Sequence, residues 1–465
     1  MTATQNPAAS GRSPRSGRHA EPLTVPPLAP AGKPKRITTT ERILDSGLRV
    51  VVVRRPSVPM VEVRLRVPFL SGKSSHLSRS TMLAETILTG TDRRNRTEIA
   101  ESLGELGGDI SVGLDADRLL LSASGLSTRL PDLLGLFADV LSAAAYPKGE
   151  VAGERERLVE RLVVSRARPA VIANEALGSR LAPGHPYGAG LPSTDEVEAV
   201  TAAQLRKLHA DLVRPDGALL VIVGDVTPAR ALDSVERQLA GWTGTQADRK
   251  VGAVPAPVLG PLAFIDRPGS VQTSLRFGRR ALSRTESRYP ALQLANLAFG
   301  GLFSSRWIEN IREDKGYTYS PRTALDHAVL ASSFTGSADV ATEVTAPAVL
   351  ETLYELGRMS TLPITAAELD LVRQYAIGTL SLSLATQAGL ASTLSGLLGA
   401  GLDVDWLNSH RDRLAAVTID QIAEVSAEFL APTGLVMIGV GDAEQVLPSL
   451  SRIADVRVET ATPDR

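Results

Sequence analysis

Apolar residues recur at helical spacing at Leu205, Leu208 and Leu212, and an unbroken apolar run then fills residues 218–223. The first pattern predicts an amphipathic helix and the second a buried strand. Pro215 stops the helix between them, and Gly217 supplies the turn. The same succession returns later in the chain. Ile422, Val425 and Phe429 hold the same helical phase, Pro432 and Gly434 follow, and a second apolar stretch leads into Gly441. Residues 201–225 and 418–442 align without a gap, so that Thr201/Thr418, Gln204/Gln421, Pro215/Pro432, Gly217/Gly434, Gly224/Gly441 and Asp225/Asp442 coincide. Agreement in both order and register predicts an internal duplication.

Two copies of a closing unit imply two lobes of roughly 200 residues, an ordinary domain size. Pro255, Pro257 and Pro261 mark a linker over residues 244–261. Each lobe opens on a predicted strand pair, at residues 48–54 and 61–67 in the first and 262–266 and 271–277 in the second. Helices are expected in the first lobe at 80–88, 98–106, 133–144 and 150–165. Strand pairs, long helices and a closing strand predict an α+β fold: two homologous lobes, each a mixed, mostly antiparallel sheet with helices packed on one face. The expected boundaries are a basic tail at 1–38, lobes at 39–243 and 262–456, and a short tail at 457–465.

Composition narrows the chemistry. The chain has 465 residues, 43% of them hydrophobic, and a net charge of −1. That charge argues against nucleic acid as a partner, because phosphate binding needs clustered positive charge. No apolar run approaches the roughly 20 residues that span a bilayer, so no membrane association is expected. Cysteine is absent, which removes disulfides, thiolate ligands and a cysteine nucleophile. Metal or acid–base chemistry is left to six histidines, the carboxylates and the tyrosines. The first 38 residues are rich in Pro, Ser, Gly, Ala and Arg and lack the apolar core of a secretory signal. They read as a disordered tail on a cytoplasmic protein.

Residues 300–320 read GGLFSSRWIENIREDKGYTYS. This segment resembles the second-lobe signature of pitrilysin (insulinase)-type metallopeptidases: a Gly-Gly-x-x-Ser-Ser-Arg turn, a helix, then Arg-Glu-x-x-Gly-x-x-Tyr-Ser. The resemblance implies that Arg312 and Tyr319 reach toward a zinc site, the tyrosine to hydrogen-bond the oxyanion and the arginine to hold substrate. It also implies that Gly300, Gly301, Phe303, Ser304 and Ser305 line the substrate path and that the lobes form a clamshell. A well-placed phenol donor is worth about 3–4 kcal/mol to an oxyanion, and arginine offers a forked donor to a peptide carbonyl. Tyr317 competes with Tyr319, since the two would share a strand face. The stretches HPYG at 185–188 and DRPGSVQ at 266–272 extend the resemblance over nearly the whole folded chain.

In that family the first lobe carries His-x-x-Glu-His, whose histidines bind zinc from one helical face while the glutamate activates water. Gly90–Thr91 anchors the alignment and places the motif on Thr81, Met82, Leu83, Ala84 and Glu85. Both histidines and the catalytic glutamate are missing. The third ligand aligns with Arg161, and Glu160 one position away points about 100° elsewhere on a helix. A catalytic zinc needs three protein ligands, so no metal is expected in this chain. The resemblance then implies a heterodimer: a homologous subunit brings the zinc, and this chain contributes Arg312 and Tyr319 to cleavage of a peptide substrate. The alternative is a catalytically silent scaffold or peptide-binding subunit. A self-sufficient hydrolase has little support, because neither a Gly-x-Ser-x-Gly elbow nor a P-loop is present.

Overall fold

Two strands fixed by the duplicated unit lie inside two sheets. The computed structural model describes residues 36–73, 75–247 and 251–460, and Ile37 onward forms one unit. Its first sheet contains β1 (Thr40–Ile43), β2 (Arg49–Arg54), β3 (Met60–Pro68), β4 (Asp109–Leu114), β5 (Arg118–Leu126) and β6 (Leu219–Gly224). The second contains β7 (Leu262–Asp266), β8 (Gln272–Ala281), β9 (Arg322–His327), β10 (Ser332–Ala341), β11 (Val436–Gly441) and β12 (Val456–Thr460). The orders are β1-β2-β6-β3-β5-β4 and β12-β7-β11-β8-β10-β9. The duplication maps β2, β6, β3, β5 and β4 onto β7, β11, β8, β10 and β9. In both lobes the closing strand pairs parallel to the opening strand and antiparallel to the next one.

The coincident residues of the repeat have physical reasons. Thr201 and Thr418 cap the helices Ala202–Leu212 and Ile419–Phe429, and Gln204 and Gln421 complete capping boxes by accepting from the cap residue's own N–H. Gly217 and Gly434 turn the chain at φ 71° and 78°, a conformation that costs a residue with a Cβ.

The sixth strand differs between lobes. β1 joins antiparallel from the N-terminal side, whereas β12 joins parallel to β7. Residues 457–460, expected as tail, therefore belong to the second sheet, as part of a largely exposed edge strand. The expected basic tail lies outside the described residues apart from its last positions. Among those, Ile37 is anchored, its N–H donating to Asn408 Oδ1 at 2.9 Å and its carbonyl accepting from Asn408 Nδ2 at 3.0 Å.

Each sheet packs its own helices on one face, as the α+β reading expects. In the first lobe these include His76–Thr86, Leu130–Ala143 and Lys148–Arg166 around Phe137, Leu65 and Trp242. The other face of each sheet is covered by one helix from the opposite half. Leu390, Leu394 and Leu398 of the helix Gln387–Gly399 pack on Val51, Val221 and Val223. Ala173, Leu177 and Leu181 of the helix Pro169–Leu181 pack on Ile265, Ile438 and Val440. This exchange explains why every residue of β6 is buried: a strand covered on both faces reads as a continuous apolar run. Polar contacts join the halves as well. Gln387 Nε2 donates to the carbonyls of Arg55 at 2.6 Å and Val58 at 3.0 Å, and Arg66 Nε donates to Ser395 Oγ at 2.7 Å. Asp117 accepts from the Tyr187 phenol and from Val329 N–H, clasping the β4–β5 hairpin to the β9–β10 hairpin. No helix among the described residues is long and apolar enough to cross a membrane.

Candidate functional site

The segment 297–320 is built around one indole. Trp307 is fully buried, stacks on Phe299 at 5.6 Å between ring centroids, and donates from Nε1 to Thr352 Oγ1 at 3.0 Å. The chain reaches it through the π-helical turn Leu297–Gly301, runs on as the short helix Arg306–Ile308, and enters a second π-helical turn, Glu309–Asp314. Such turns concentrate at functional sites. Gly300 is buried where a Cβ would lie 2.8 Å from Thr323 and 2.9 Å from the Trp307 ring; a Cβ on Gly301 would meet Asn296 at 2.8 Å. Internal packing therefore accounts for both glycines. Ser305 is buried too, while Phe303 and Ser304 face solvent.

Arg306 fixes this segment to the neighbouring helix Ala366–Ser383. Its Nε and Nη2 donate to the two oxygens of Glu368 at 2.5 and 3.0 Å, and the same carboxylate caps Thr365 N–H at 2.7 Å. Burial alone would raise the Glu368 carboxyl, but these bonds outweigh it and bring its pKa down to about 2. The first lobe repeats the device: Arg96 Nη1 lies 3.0 Å from Glu150 and 2.9 Å from Glu154. Sequence reading missed this pair, although a signal existed. Arg96 and Arg306 each stand six residues after a glycine, Gly90 and Gly300.

The second π-helical turn presents Arg312. Its guanidinium lies 4.6 Å from the Phe303 ring centroid and 5.0 Å from that of Tyr319, held between two aromatic faces. Glu313 also reaches it, at 3.2 Å from Nε. Beyond the turn, Thr318 is buried, bridges Val340 and donates from Oγ1 to Asp339 O at 2.8 Å. That single bridge pins the chain and the next residue bends outward. Tyr319 is 82% exposed, and its phenol makes no hydrogen bond among the described residues. Tyr317 instead packs partly buried against the second core. The expected shared strand face of the two tyrosines does not form, because pairing stops at one bridge. Arg312, Tyr319 and Phe303 thus come together on the surface, whereas Gly300, Gly301 and Ser305 lie beneath it.

On the first-lobe helix His76–Thr86, Met82 and Leu83 are buried and Thr81, Ala84 and Glu85 lie on the more open side. Thr81 Oγ1 donates back to Leu77 O at 2.8 Å. Glu85 Oε1 pairs with Arg161 Nη2 at 2.8 Å, across to the helix Lys148–Arg166. Glu160 is exposed beside that pair. The two helices do bring these positions face to face, but with a guanidinium where a metal ion would be needed. A second cation there meets repulsion from Arg161 and no imidazole. The residues present do not fit zinc, and among the described residues no group of three or more His, Cys, Asp or Glu could hold a metal ion. The histidines serve elsewhere. His185 Nδ1 accepts from Tyr187 N–H at 3.1 Å as a turn cap. His209 bridges Tyr146 Oη and Leu141 O, each at 2.8 Å. The bond to a carbonyl makes Nε2 the donor, so Nδ1 accepts from the phenol.

Comparison with known proteins agrees with this architecture. The family model described as insulinase (peptidase family M16) matches residues 79–195, and that described as peptidase M16 inactive domain matches residues 199–375. Together they span more than half of the chain. An uncharacterized zinc protease of Bacillus subtilis is 24% identical over 391 residues, covering 81% of this chain and 89% of that protein. Another from Mycobacterium tuberculosis is 25% identical over 419 residues, covering 87% and 92%. Among solved structures, a peptidase M16 inactive domain from Pseudomonas fluorescens superposes with a TM-score of 0.79 at 22% identity, over 87% of this chain and 98% of its own. A protease from Helicobacter pylori gives 0.76 at 17% identity, over 88% and 100%. With the duplicated lobes and two models of the same family matching consecutive stretches of it, the chain belongs to the insulinase (M16) peptidase family, as a member without a metal-holding group among its described residues.

Proposed function

We propose that this chain is the metal-free subunit of a heterodimeric zinc metallopeptidase of the cytoplasm. A homologous partner holds the zinc, and this chain contributes Arg312 and Tyr319 to the partner's site. The observation that carries the reading is the exposed phenol of Tyr319, lacking any hydrogen-bond partner of its own among the described residues and propped against Arg312, which also lies over the Phe303 ring. A donor held in place on a surface costs no reorganisation when negative charge develops opposite it. Glu313 engages Arg312 at Nε, which leaves the Nη groups to donate to a peptide carbonyl while the guanidinium face is stacked. An extended peptide lying along a sheet edge would gain main-chain hydrogen bonds that are largely independent of sequence.

Purified chain, alone and mixed with a zinc-motif homologue from the same cell, tests the assignment by metal content and peptide cleavage. The expected result is no zinc and no cleavage alone, with the mixture cleaving faster than the homologue by itself. Stoichiometric zinc on the single chain contradicts the reading. A stable mixed complex whose cleavage does not exceed the homologue's own favours the scaffold alternative.

A further inference from the structure

A second feature lies on the face of the second sheet that receives the helix Pro169–Leu181. A groove of about 560 Å³ runs there over β8, β9 and β10, walled by Leu177 and Leu181 and by Tyr187. That volume is within the range of small-ligand sites, about 300–1,000 Å³. Three arginines line it, and they are not equivalent. Arg276 is buried and satisfied, donating to Asn174 Oδ1 at 2.8 Å and to Asp339 Oδ1 at 3.1 Å. Arg280 is half-buried, yet its bond is to a backbone carbonyl, that of Pro255 at 3.0 Å. Burial holds its pKa below the ordinary value. Arg322 stands exposed on the edge strand β9, three residues after Tyr319, and its side chain makes no ion pair or hydrogen bond among the described residues. Asp326, the carboxylate lining this groove, accepts from Thr335 Oγ1 at 2.8 Å and pairs with neither arginine.

Two guanidiniums without a carboxylate partner, beside leucines and alanines, match a ligand that joins an anionic group to an apolar side chain. We propose that this groove binds a carboxylate of an extended peptide, with Arg280 and Arg322 as the forks that receive it. The carboxylate comes either from the chain end or from an acidic side chain next to an apolar one. One negative charge suits the face: with Arg276 paired to Asp339, the lining's remaining charges are Arg280, Arg322 and Asp326, a net of about +1. Neither Arg312 nor Tyr319 lines the groove, and its occupancy is measurable on this chain alone, whatever becomes of the proposed catalytic partnership.

Fluorescence anisotropy of labelled hexapeptides tests the groove. The probes are a peptide ending Ala-Leu-Ala with a free carboxylate, its C-terminal amide, and an amide carrying Glu beside the Leu. Binding of the free acid at least tenfold tighter than the plain amide assigns the chain end. The same gain for the Glu amide assigns the side chain, and a gain for both shows that either source serves. Arg322→Ala, on an exposed strand where folding is not at risk, should remove that gain, and Arg280→Ala likewise. Arg237→Ala, exposed on the first lobe, should leave it intact. Equal binding of all three peptides, no binding, unaltered binding by Arg322→Ala, or competition by inorganic phosphate with no preference among the peptides would overturn the assignment.

Discussion

At the scale of single residues, the first-lobe site turns on one exchange of charge. Glu85 and Arg161 face each other across two helices at 2.8 Å, and both side chains are well exposed, so the pair adds at most about 1 kcal/mol to stability. It can therefore be replaced without unfolding the lobe. The variant Thr81→His, Ala84→Glu, Glu85→His, Arg161→Glu should gain about one equivalent of zinc, measured by atomic absorption after dialysis. A folded variant that stays metal-free would show that these four positions do not converge as aligned. A buried residue gives a second prediction. Burial pushes His209 down to about 4 from its ordinary 6.5. The unfolded chain then takes up a proton below about pH 6.5 while the folded chain does not until about pH 4. Stability present above pH 6.5 is lost progressively between those values, roughly 2 kcal/mol for this histidine by about pH 5. His209→Gln keeps a donor and an acceptor without titrating, and should flatten the fall of Tm between pH 7 and pH 5. An unchanged slope would contradict the assignment.

At the scale of elements, the repeat was the most legible feature of the sequence. Its threonine and glutamine pairs are capping boxes, its turn glycines Gly217 and Gly434 sit at positive φ, and its apolar runs are the strands β6 and β11. The opening strands β2, β3, β7 and β8 were also legible, to within a few residues. The β4–β5 hairpin was not predicted, and β12 was read as tail. Ser111, Ser122 and Ser124 break the apolar run of the first, and the second is five residues of an exposed edge. The Arg312 and Tyr319 motif was legible as a motif. Its geometry was not, since the π-helical turns and the single bridge at Thr318 depend on the packing of Trp307 and β10. Nor could sequence pattern show that helices cross between halves, because a buried apolar helix does not say which sheet it covers. Leu394, fully buried on the first sheet, measures that crossing. Leu394→Ala should cost about 2–5 kcal/mol, read as a lowered urea midpoint. A cost below about 1 kcal/mol would mean that the exchanged helix is a loose cover.

At the scale of the whole molecule, the exchanged helices make each sheet's core depend on the other half of the chain. Residues 37–460 should therefore unfold in one transition by circular dichroism and tryptophan fluorescence together; two resolved transitions would contradict that coupling. The same rigidity suits the proposed role, in which Arg312 and Tyr319 would hold their aim toward a metal carried by another chain. The first lobe offers the Glu85–Arg161 ion pair at the positions aligned with the zinc motif, and the second offers an exposed phenol with no hydrogen bond among the described residues beside a stacked guanidinium. The proposed complex with a zinc-bearing homologue would join these two facts. Its most direct test is kcat of the mixed complex with Tyr319→Phe, a change that removes one hydroxyl from an exposed ring and leaves the fold alone. A fall of about 100-fold at unchanged complex formation is the expected result, and an unchanged kcat would contradict the shared site.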